Sequence, residues 1–292
     1  MHPGAHLVAI ADLDLERARG AADTYGADAY ASHRDLIGKV DAVSIAAPAS
    51  AHHAIARDLV GARIHVLIEK PIAADSVAAR DLIAAAEQAG TILQVGHLER
   101  FSPAVAELRL RLNDPRRIAA SRRAKWTGRS TDVDVILDLM IHDIDLVLTL
   151  AGAPVASVAA NGASVQSDVT DEAEAWLTFT NGLIATLSAS RVAVENERKL
   201  MVTEPDTAYV ADLAVPSLTV TARRQPGAMP RSVPLVPRDN LGAEISAFLT
   251  SVRTGARPEV DGRAGLAALE IAERIQAAIA ETETPARRAS DR

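Results

Sequence analysis

Over roughly the first hundred residues, short continuous apolar runs alternate with stretches whose apolar positions recur at helical spacing. The runs Leu7–Ala11, Ala42–Ala47, His65–Ile68 and Thr91–Val95 read as strands buried on both faces. Between them Leu15–Tyr25, a short segment at Arg34–Ile37, Ala51–Val60 and Ser76–Ala89 read as helices. In the last of these, Val77, Leu82, Ile83 and Ala86 form one apolar stripe, and Gly61 and Gly90 stand where helix C-terminal caps belong. Strands alternating with helices predict a parallel sheet with right-handed crossovers.

The pattern changes after Phe101. Pro103–Leu112 reads as a helix, Arg117–Trp126 as a strand and Val133–Leu150 as a longer helix stopped by Gly152 and Pro154. Two-residue alternation then dominates. "EAEAWLTFTNGLIATLSASR" predicts a hairpin turning at Asn181-Gly182, "RKLMVTEPDTAYVADL" predicts another, and "SLTVTARR" adds a strand. Pro226–Pro237 reads as an irregular crossing or edge, and Leu241–Arg253 and Gly265–Ala280 as closing helices. The expectation is an α/β parallel-sheet domain over residues 1–100. An α+β domain with an open antiparallel sheet, helices on one side, follows over 101–280, and 281–292 form a disordered polar tail.

Composition narrows the function classes. With no cysteine among 292 residues there are no disulfides, thiolate metal sites or cysteine nucleophiles, which fits a cytoplasmic protein. No apolar run is long enough to span a membrane and no signal peptide is visible. A net charge of −7 and 3% aromatic residues argue against nucleic-acid binding. Lysine is confined to Lys39, Lys70, Lys125 and Lys199, which draws attention to each.

Candidate chemistry collects at strand ends. Asp12 closes the first strand, where a dinucleotide-binding fold places an acid beneath an adenosine ribose. In that fold a glycine-rich phosphate loop lies about 20 residues earlier, and here almost nothing precedes the strand. "HVLIEKPIA" runs a buried strand into Glu69, Lys70 and Pro71. Pro71 favours an extended Lys70, and partial desolvation there suits a general base or acid; the alternative is a surface ion pair of little weight. In "DLMIHDID", Asp138, His142 and Asp145 fall at i, i+4 and i+7, on one helical face beside an apolar stripe. His142 can hold or relay a proton with Asp138 orienting it, or it can be a half-buried residue satisfied by either aspartate. Two ligands with no second histidine pair make a poor metal site, so no metal is expected. "QVGHLERFSPA" offers Gly96 for close approach and Arg100 as a fork for phosphate or carboxylate, while Phe101 covers a ring or fills core. Ser102-Pro103 reads as an N-cap followed by proline in the first turn. In "AAPASAHHA" small residues end a strand, and His52 and His53 start a helix.

Taken in order, Asp12, "AAPASAHH", "EKP", "GHLERFSPA" and "DLMIHDID" resemble the glucose–fructose oxidoreductase / inositol dehydrogenase / rhizopine-catabolism (Gfo/Idh/MocA) family of nicotinamide-dependent oxidoreductases. The similarity runs to the closing "LGAEISAFLTSVRTGARPEVDGRAGLAALEIAERI". "ERF.PA" with "DLMIHDID" looks most like the UDP-N-acetylglucosamine 3-dehydrogenase subgroup. The resemblance implies a Rossmann-type domain that lacks its first strand, glycine loop and first helix, with Met1 standing in the loop that normally follows that helix. It implies that Lys70 acts on a substrate hydroxyl with His142 as partner and Asp138 completing the set. Asp12 would hold the adenosine ribose, Ala47, Pro48, His52 and Glu69 would line the nicotinamide side, and Arg100 would contact cofactor or substrate. Asp12 would repel a ribose 2′-phosphate, favouring NAD over NADP, although Arg17 and Arg19 lie nearby. Ala47 and Ala49 replace threonines frequent in the family, and Ser102 replaces a frequent asparagine. The expected activity is NAD-linked oxidation of a secondary hydroxyl on a sugar or sugar nucleotide, by a homo-oligomer assembled through its antiparallel sheet. The alternative is a non-catalytic sugar-binding sensor or assembly subunit that has lost the phosphate loop.

Overall fold

The computed structural model describes residues 4–128 and 133–290, with side chains to residue 282. The chain divides into two compact units: residues 1–97 with 241–266, and residues 98–240 with 267–292. The segment 241–266, assigned to the second domain on sequence grounds, thus packs with the first unit.

The first unit follows the strand–helix alternation read from the sequence. Its elements are β1 (Ala9–Ala11), α1 (Leu15–Tyr25), β2 (Asp28–Tyr30), β3 (Ala42–Ile45), α2 (Ala49–Gly61), β4 (His65–Glu69), α3 (Ser76–Ala89) and β5 (Leu93–Gly96). All pairings are parallel, in two groups: β1 with β2, and β3-β4-β5. Among the described residues β1 pairs only with β2 and β3 only with β4. The consequence is visible in burial. Val66, Leu67 and Ile68 of β4 are at most 3% exposed, whereas all of β1 and most of β3 are half-exposed or open. A strand paired on one side leaves a row of backbone groups unladdered on the other. Helix ends are set locally. Asp14 accepts from the Glu16 and Arg17 N–H groups, and Asp75 from the Ala78 N–H. Gly90 caps α3 as expected, but α2 runs through Gly61, and Arg63 takes the left-handed conformation instead (φ 63°).

The second unit comprises α4 (Pro103–Arg111), β6 (Arg117–Arg123), a π-helical turn at Ile136–Met140, α5 (Ile141–Ala151), β7 (Val155–Ala163), β8 (Glu172–Phe179), β9 (Ile184–Ser190), β10 (Glu197–Thr203), β11 (Thr207–Asp212), β12 (Ser217–Ala222) and β13 (Arg231–Ser232). The closing helices are α6 (Asn240–Thr254) and α7 (Gly262–Ser290), so helix continues through most of the segment expected to be a disordered tail. One eight-stranded sheet has the order β13-β12-β11-β10-β6-β9-β8-β7. It is antiparallel except for the β6–β9 pair, which is parallel. That pair corrects the purely antiparallel expectation: β6 leaves through a helical crossover, α5, before the chain returns. Alternate residues Ala173, Ala175, Leu177 and Phe179 of β8, with Ala185 and Leu187 of β9, face a core shared with Ile144 and Val147 of α5 and Ala272 and Ile275 of α7. The turn between β8 and β9 uses Thr180, Asn181 and Gly182. The Gly182 N–H donates to the Phe179 carbonyl, and Gly182 alone is left-handed (φ 83°). This is a type I turn with a trailing left-handed glycine rather than a two-residue turn.

Between β7 and β8 the chain wraps a buried carboxylate. Asp171 Oδ2 accepts from the Val165, Gln166 and Ser167 N–H groups at 2.8, 2.6 and 2.9 Å. Its Oδ1 accepts from Ser167 Oγ and from Arg191 Nε, both at 2.7 Å, and Arg191 Nη1 donates to the Val133 carbonyl at 2.7 Å. Burial pushes this carboxyl up, but the Gln166 N–H, the Ser167 donors and the Val165 N–H outweigh it and hold it well below the ordinary carboxylate range. A carboxylate depressed in the folded state stabilises above its unfolded value of about 4 and loses that contribution as pH falls. Urea unfolding of the intact chain is therefore expected to lose stability below about pH 4. Asp171→Asn is expected to lower stability at pH 7 by about 3–5 kcal/mol and to flatten the acid dependence.

Candidate active site

In the first unit the candidates lie at the carboxyl ends of parallel strands, the edge at which such sheets bind ligands. Asp12 follows β1, and its N–H donates to the Tyr30 carbonyl at 3.1 Å. Its Oδ1 accepts from the Asp14 N–H at 2.8 Å, and Arg17 Nη1 lies 3.4 Å from Oδ2. The Asp12 side chain remains 32% exposed, so its outer oxygen can accept hydroxyl groups. Ala47 is half-buried and Pro48 exposed after β3. His52, by contrast, is 1% exposed. Its Nε2 lies 2.7 Å from the Ala47 carbonyl and its Nδ1 2.8 Å from the Pro71 carbonyl. Each ring nitrogen faces a backbone carbonyl, so the ring lies between the turn after β3 and the turn after β4, donating to one of them.

That second turn carries Glu69 and Lys70, both half-buried, and continues into buried Pro71, Ile72 and Ala73. Lys70 therefore projects from a segment anchored immediately behind it. Glu69 pairs across β4 and β5 with Gly96, and a Cβ on Gly96 would stand 3.0 Å from Glu69 Oε2. Any side chain at residue 96 would displace the Glu69 carboxylate. The bare backbone at the end of β5 and the open carboxylate after β1 fit a dinucleotide at its nicotinamide and adenosine-ribose ends respectively. Among the described residues no glycine-rich turn precedes β1.

In the second unit Asp138 lies inside the π-turn and His142 in the first turn of α5, both half-buried. The single regular helix expected over Val133–Leu150 is thus interrupted by the π-turn, and Asp145 differs from half-buried Asp138 and His142 in being buried. Asp145 is 1% exposed and takes the Arg100 fork, Oδ1 to Nη2 at 2.6 Å and Oδ2 to Nε at 2.7 Å. Arg100, read as a cation for cofactor or substrate, places two of its donors on this pair. Phe101 is 2% exposed and fills core. Ser102 occupies the N-cap position of α4, but its side chain makes no capping bond.

Three residues that the sequence reading passed over complete the arrangement. Arg122, the third inward position of β6 after Ile118 and Ala120, donates Nε and Nη2 to Asp143 at 3.1 and 2.9 Å and Nη1 to Glu99 at 3.0 Å. All three are buried, and Arg198 Nη1 approaches Glu99 at 3.6 Å. Burial pushes the Asp143 carboxyl up and the Arg122 charge pulls it back. His142 immediately precedes Asp143 and lies three residues before Asp145, two aspartates that are each committed to an arginine. A basic residue on the inward face of a strand was the available signal, since an inward charge demands a buried partner. The first unit holds a comparable surprise in Glu244, a carboxyl 1% exposed on α6.

Removing Arg122 would leave Glu99 and Asp143 buried with their main counter-charge gone. Arg122→Met is expected to cost about 3–5 kcal/mol by urea denaturation, more than the loss of an exposed pair such as Arg19–Glu16, which is worth at most about 1 kcal/mol.

Comparison with known proteins matches this geometry to a family. Residues 1–97 match the oxidoreductase family with an NAD-binding Rossmann fold, and residues 104–206 match the C-terminal domain of the same family. The chain is 37% identical over 282 residues to the UDP-N-acetylglucosamine 3-dehydrogenase of Acidithiobacillus ferrooxidans, covering 94% of this chain and 90% of that protein. A crystal structure of that enzyme superposes with a TM-score of 0.89 at 38% identity, covering 94% of this chain and 89% of the other. An inositol 2-dehydrogenase of Rubrobacter xylanophilus is 34% identical over 153 residues, 49% of this chain and 44% of that protein. The chain belongs to the Gfo/Idh/MocA family of oxidoreductases, its first domain is an NAD-binding Rossmann fold, and it acts as a dehydrogenase on CH–OH groups.

Proposed function

We propose that the chain oxidises a secondary hydroxyl of a sugar nucleotide, with UDP-N-acetylglucosamine at C3 as the leading substrate. One observation carries this reading. Lys70, Asp138 and His142 occur in a chain 37% identical, over 94% of its length, to a UDP-N-acetylglucosamine 3-dehydrogenase. NAD, when bound, accepts the hydride at its nicotinamide ring, and the protein supplies alignment and proton handling. Lys70 Nζ takes the hydroxyl proton as the substrate C–H bond breaks, leaving a ketone. His142 is its proton partner, and Asp138 orients the imidazole and the sugar. Asp12 holds the adenosine ribose hydroxyls. Ala47, Pro48 and Glu69 line the nicotinamide side, and His52 supports that wall from between the Ala47 and Pro71 carbonyls. Arg100, with Phe101 behind it, keeps the substrate-side segment in place through Asp145. This reading takes the enzyme to be cytoplasmic. It also takes it to assemble through the outer face of the eight-stranded sheet, where Ile184, Trp176 and Met201 are 36%, 39% and 45% exposed.

A substrate panel tests it. UDP-N-acetylglucosamine is expected to reduce NAD, followed by the rise in nicotinamide absorbance, while free glucose and inositol do not. Lys70→Met is expected to lower kcat by about 10²–10⁴ with the circular dichroism spectrum unchanged. Oxidation of inositol in place of the sugar nucleotide would contradict the substrate assignment. Failure of NAD to bind in a calorimetric titration would favour the non-catalytic alternative.

A further inference from the structure

The inward face of the sheet in the second unit carries two arginines opposite each other. Arg198 of β10 pairs in register with Arg122 of β6. Both belong to the alternation that buries Ile118 and Ala120 on β6 and Leu200 and Val202 on β10. The two are used differently. Arg122 is 3% exposed and gives Nε, Nη1 and Nη2 to Asp143 and Glu99. The Arg198 side chain is 53% exposed and meets a carboxylate only through Nη1, 3.6 Å from Glu99 Oε1. That separation is an ion pair without a hydrogen bond. Among the described residues, Arg198 Nε and Nη2 have no acceptor. Arg122 brings one positive charge to two buried carboxylates, and Arg198 supplies the second. Arg198 is thus the solvent-facing member of a charge-balanced set, with one edge of its fork open.

An aromatic group is anchored on the neighbouring segment. The Ala124 N–H donates to the Ser190 carbonyl, one residue beyond the end of β6, and the Lys125 N–H donates to Asn196 Oδ1 at 3.0 Å. The second bond ties the segment after β6 to the chain two residues before Arg198. Trp126 follows, 37% exposed, with the Arg191 guanidinium over its ring at 5.8 Å from the centroid. Arg191 is itself buried and clamped by Asp171 and the Val133 carbonyl. An exposed indole braced on one face by a fixed cation is a preformed stacking platform. Four residues separate it from Arg122, at most about 13 Å along the chain.

We propose that Arg198 and Trp126 form the nucleoside-diphosphate subsite of the substrate, Arg198 donating Nε and Nη2 to diphosphate oxygens and Trp126 stacking on the base. This rests on the sugar-nucleotide reading above and adds the residues that select for the nucleotide. The order along the chain contacts matches the order of such a substrate. His142 directly precedes Asp143, which Arg122 holds; Arg198 stands beside Arg122; Trp126 lies farther out. Sugar, diphosphate and base follow one another in the same sequence. A planar guanidinium fork suits paired phosphoryl oxygens, and an indole face accepts a base without a base-specific hydrogen bond. Lys125, exposed on the tied segment, adds positive charge to the approach.

The test is a set of dissociation constants for UDP, uridine and NAD, measured by NMR titration of the intact chain and its variants. The wild-type chain is expected to bind UDP about 10–100-fold more tightly than uridine. Arg198→Met should abolish most of that ratio and leave the affinity for NAD unchanged. Arg198→Lys keeps the charge beside Glu99 without the fork; it should restore only part of the ratio, and it serves if Arg198→Met fails to fold. Trp126→Leu should weaken UDP and uridine by the same factor, about tenfold, and preserve the ratio. If UDP does not bind the wild-type chain, if the ratio is the same with Arg, Lys and Met at residue 198, or if Trp126→Leu changes nothing, the proposal is overturned. If Arg198→Met weakens NAD as much as UDP, the arginine serves the cofactor diphosphate and the assignment is wrong. If UDP binds as described but UDP-N-acetylglucosamine is not oxidised, the subsite stands and the substrate reading fails. If UDP-N-acetylglucosamine is oxidised with the same KM in all variants, that reading stands and this proposal fails.

Discussion

The second unit depends on how its buried charges are matched. Arg122 reaches Asp143 on one side and Glu99 on the other, and Arg100 reaches Asp145. Each group is costly to desolvate, and each becomes tolerable only when its partner is in place. The network therefore acts as a registration device. It ties the inward face of β6 to the first turns of α5 and to the short segment Leu98–Phe101. His142 directly precedes Asp143, in the first turn of α5 that this network ties down. Such a pair adds little net stability compared with a well-packed apolar replacement, but a shifted α5 would strand several charges at once.

The first unit reaches the same end by different means. Its candidate groups are placed by parallel strand ends, and small local contacts refine them. His52 lies between the carbonyls of the turns after β3 and β4, and Gly96 makes room for Glu69. Lys70 is thereby presented from a turn whose neighbours are buried on both sides in sequence. Asp12 belongs to a more exposed strand, where Arg17 balances part of its charge. A ribose with free 2′- and 3′-hydroxyls suits such a carboxylate, and a 2′-phosphate does not.

Much of this was legible in the sequence because it follows from local rules. Burial on both faces made β4 and β5 unmistakable, and period-two alternation did the same for β8 and β9. Asp14, Asp75 and Gly90 sit where capping chemistry places them. Strand-end position and helical spacing marked Lys70, Asp138 and His142 as candidates, and the family resemblance supplied their proposed roles. What was not legible came from long-range pairing. Nothing near Arg100 in the chain announces Asp145, and nothing near Arg122 announces Asp143. The π-turn also interrupts the regular 3.6-residue repeat expected over Val133–Leu150. The assignment of 241–266 to the first unit depended on packing of Gly262 and Gly265 against Leu93 and Val95, contacts that no local pattern encodes. Glu244 did carry a signal, a charge on an apolar stripe, but its burial beside Gln94 of β5 comes from long-range packing.

The central claim is that this fold aligns a sugar-nucleotide hydroxyl for direct hydride transfer to NAD. Isotope transfer tests it most directly. UDP-N-acetylglucosamine carrying deuterium at C3 should yield reduced nicotinamide with the label at ring C4, and turnover should slow relative to the unlabelled substrate. Reduced cofactor formed without deuterium, or turnover slowed by deuterium at C4 of the sugar and not at C3, would contradict the account.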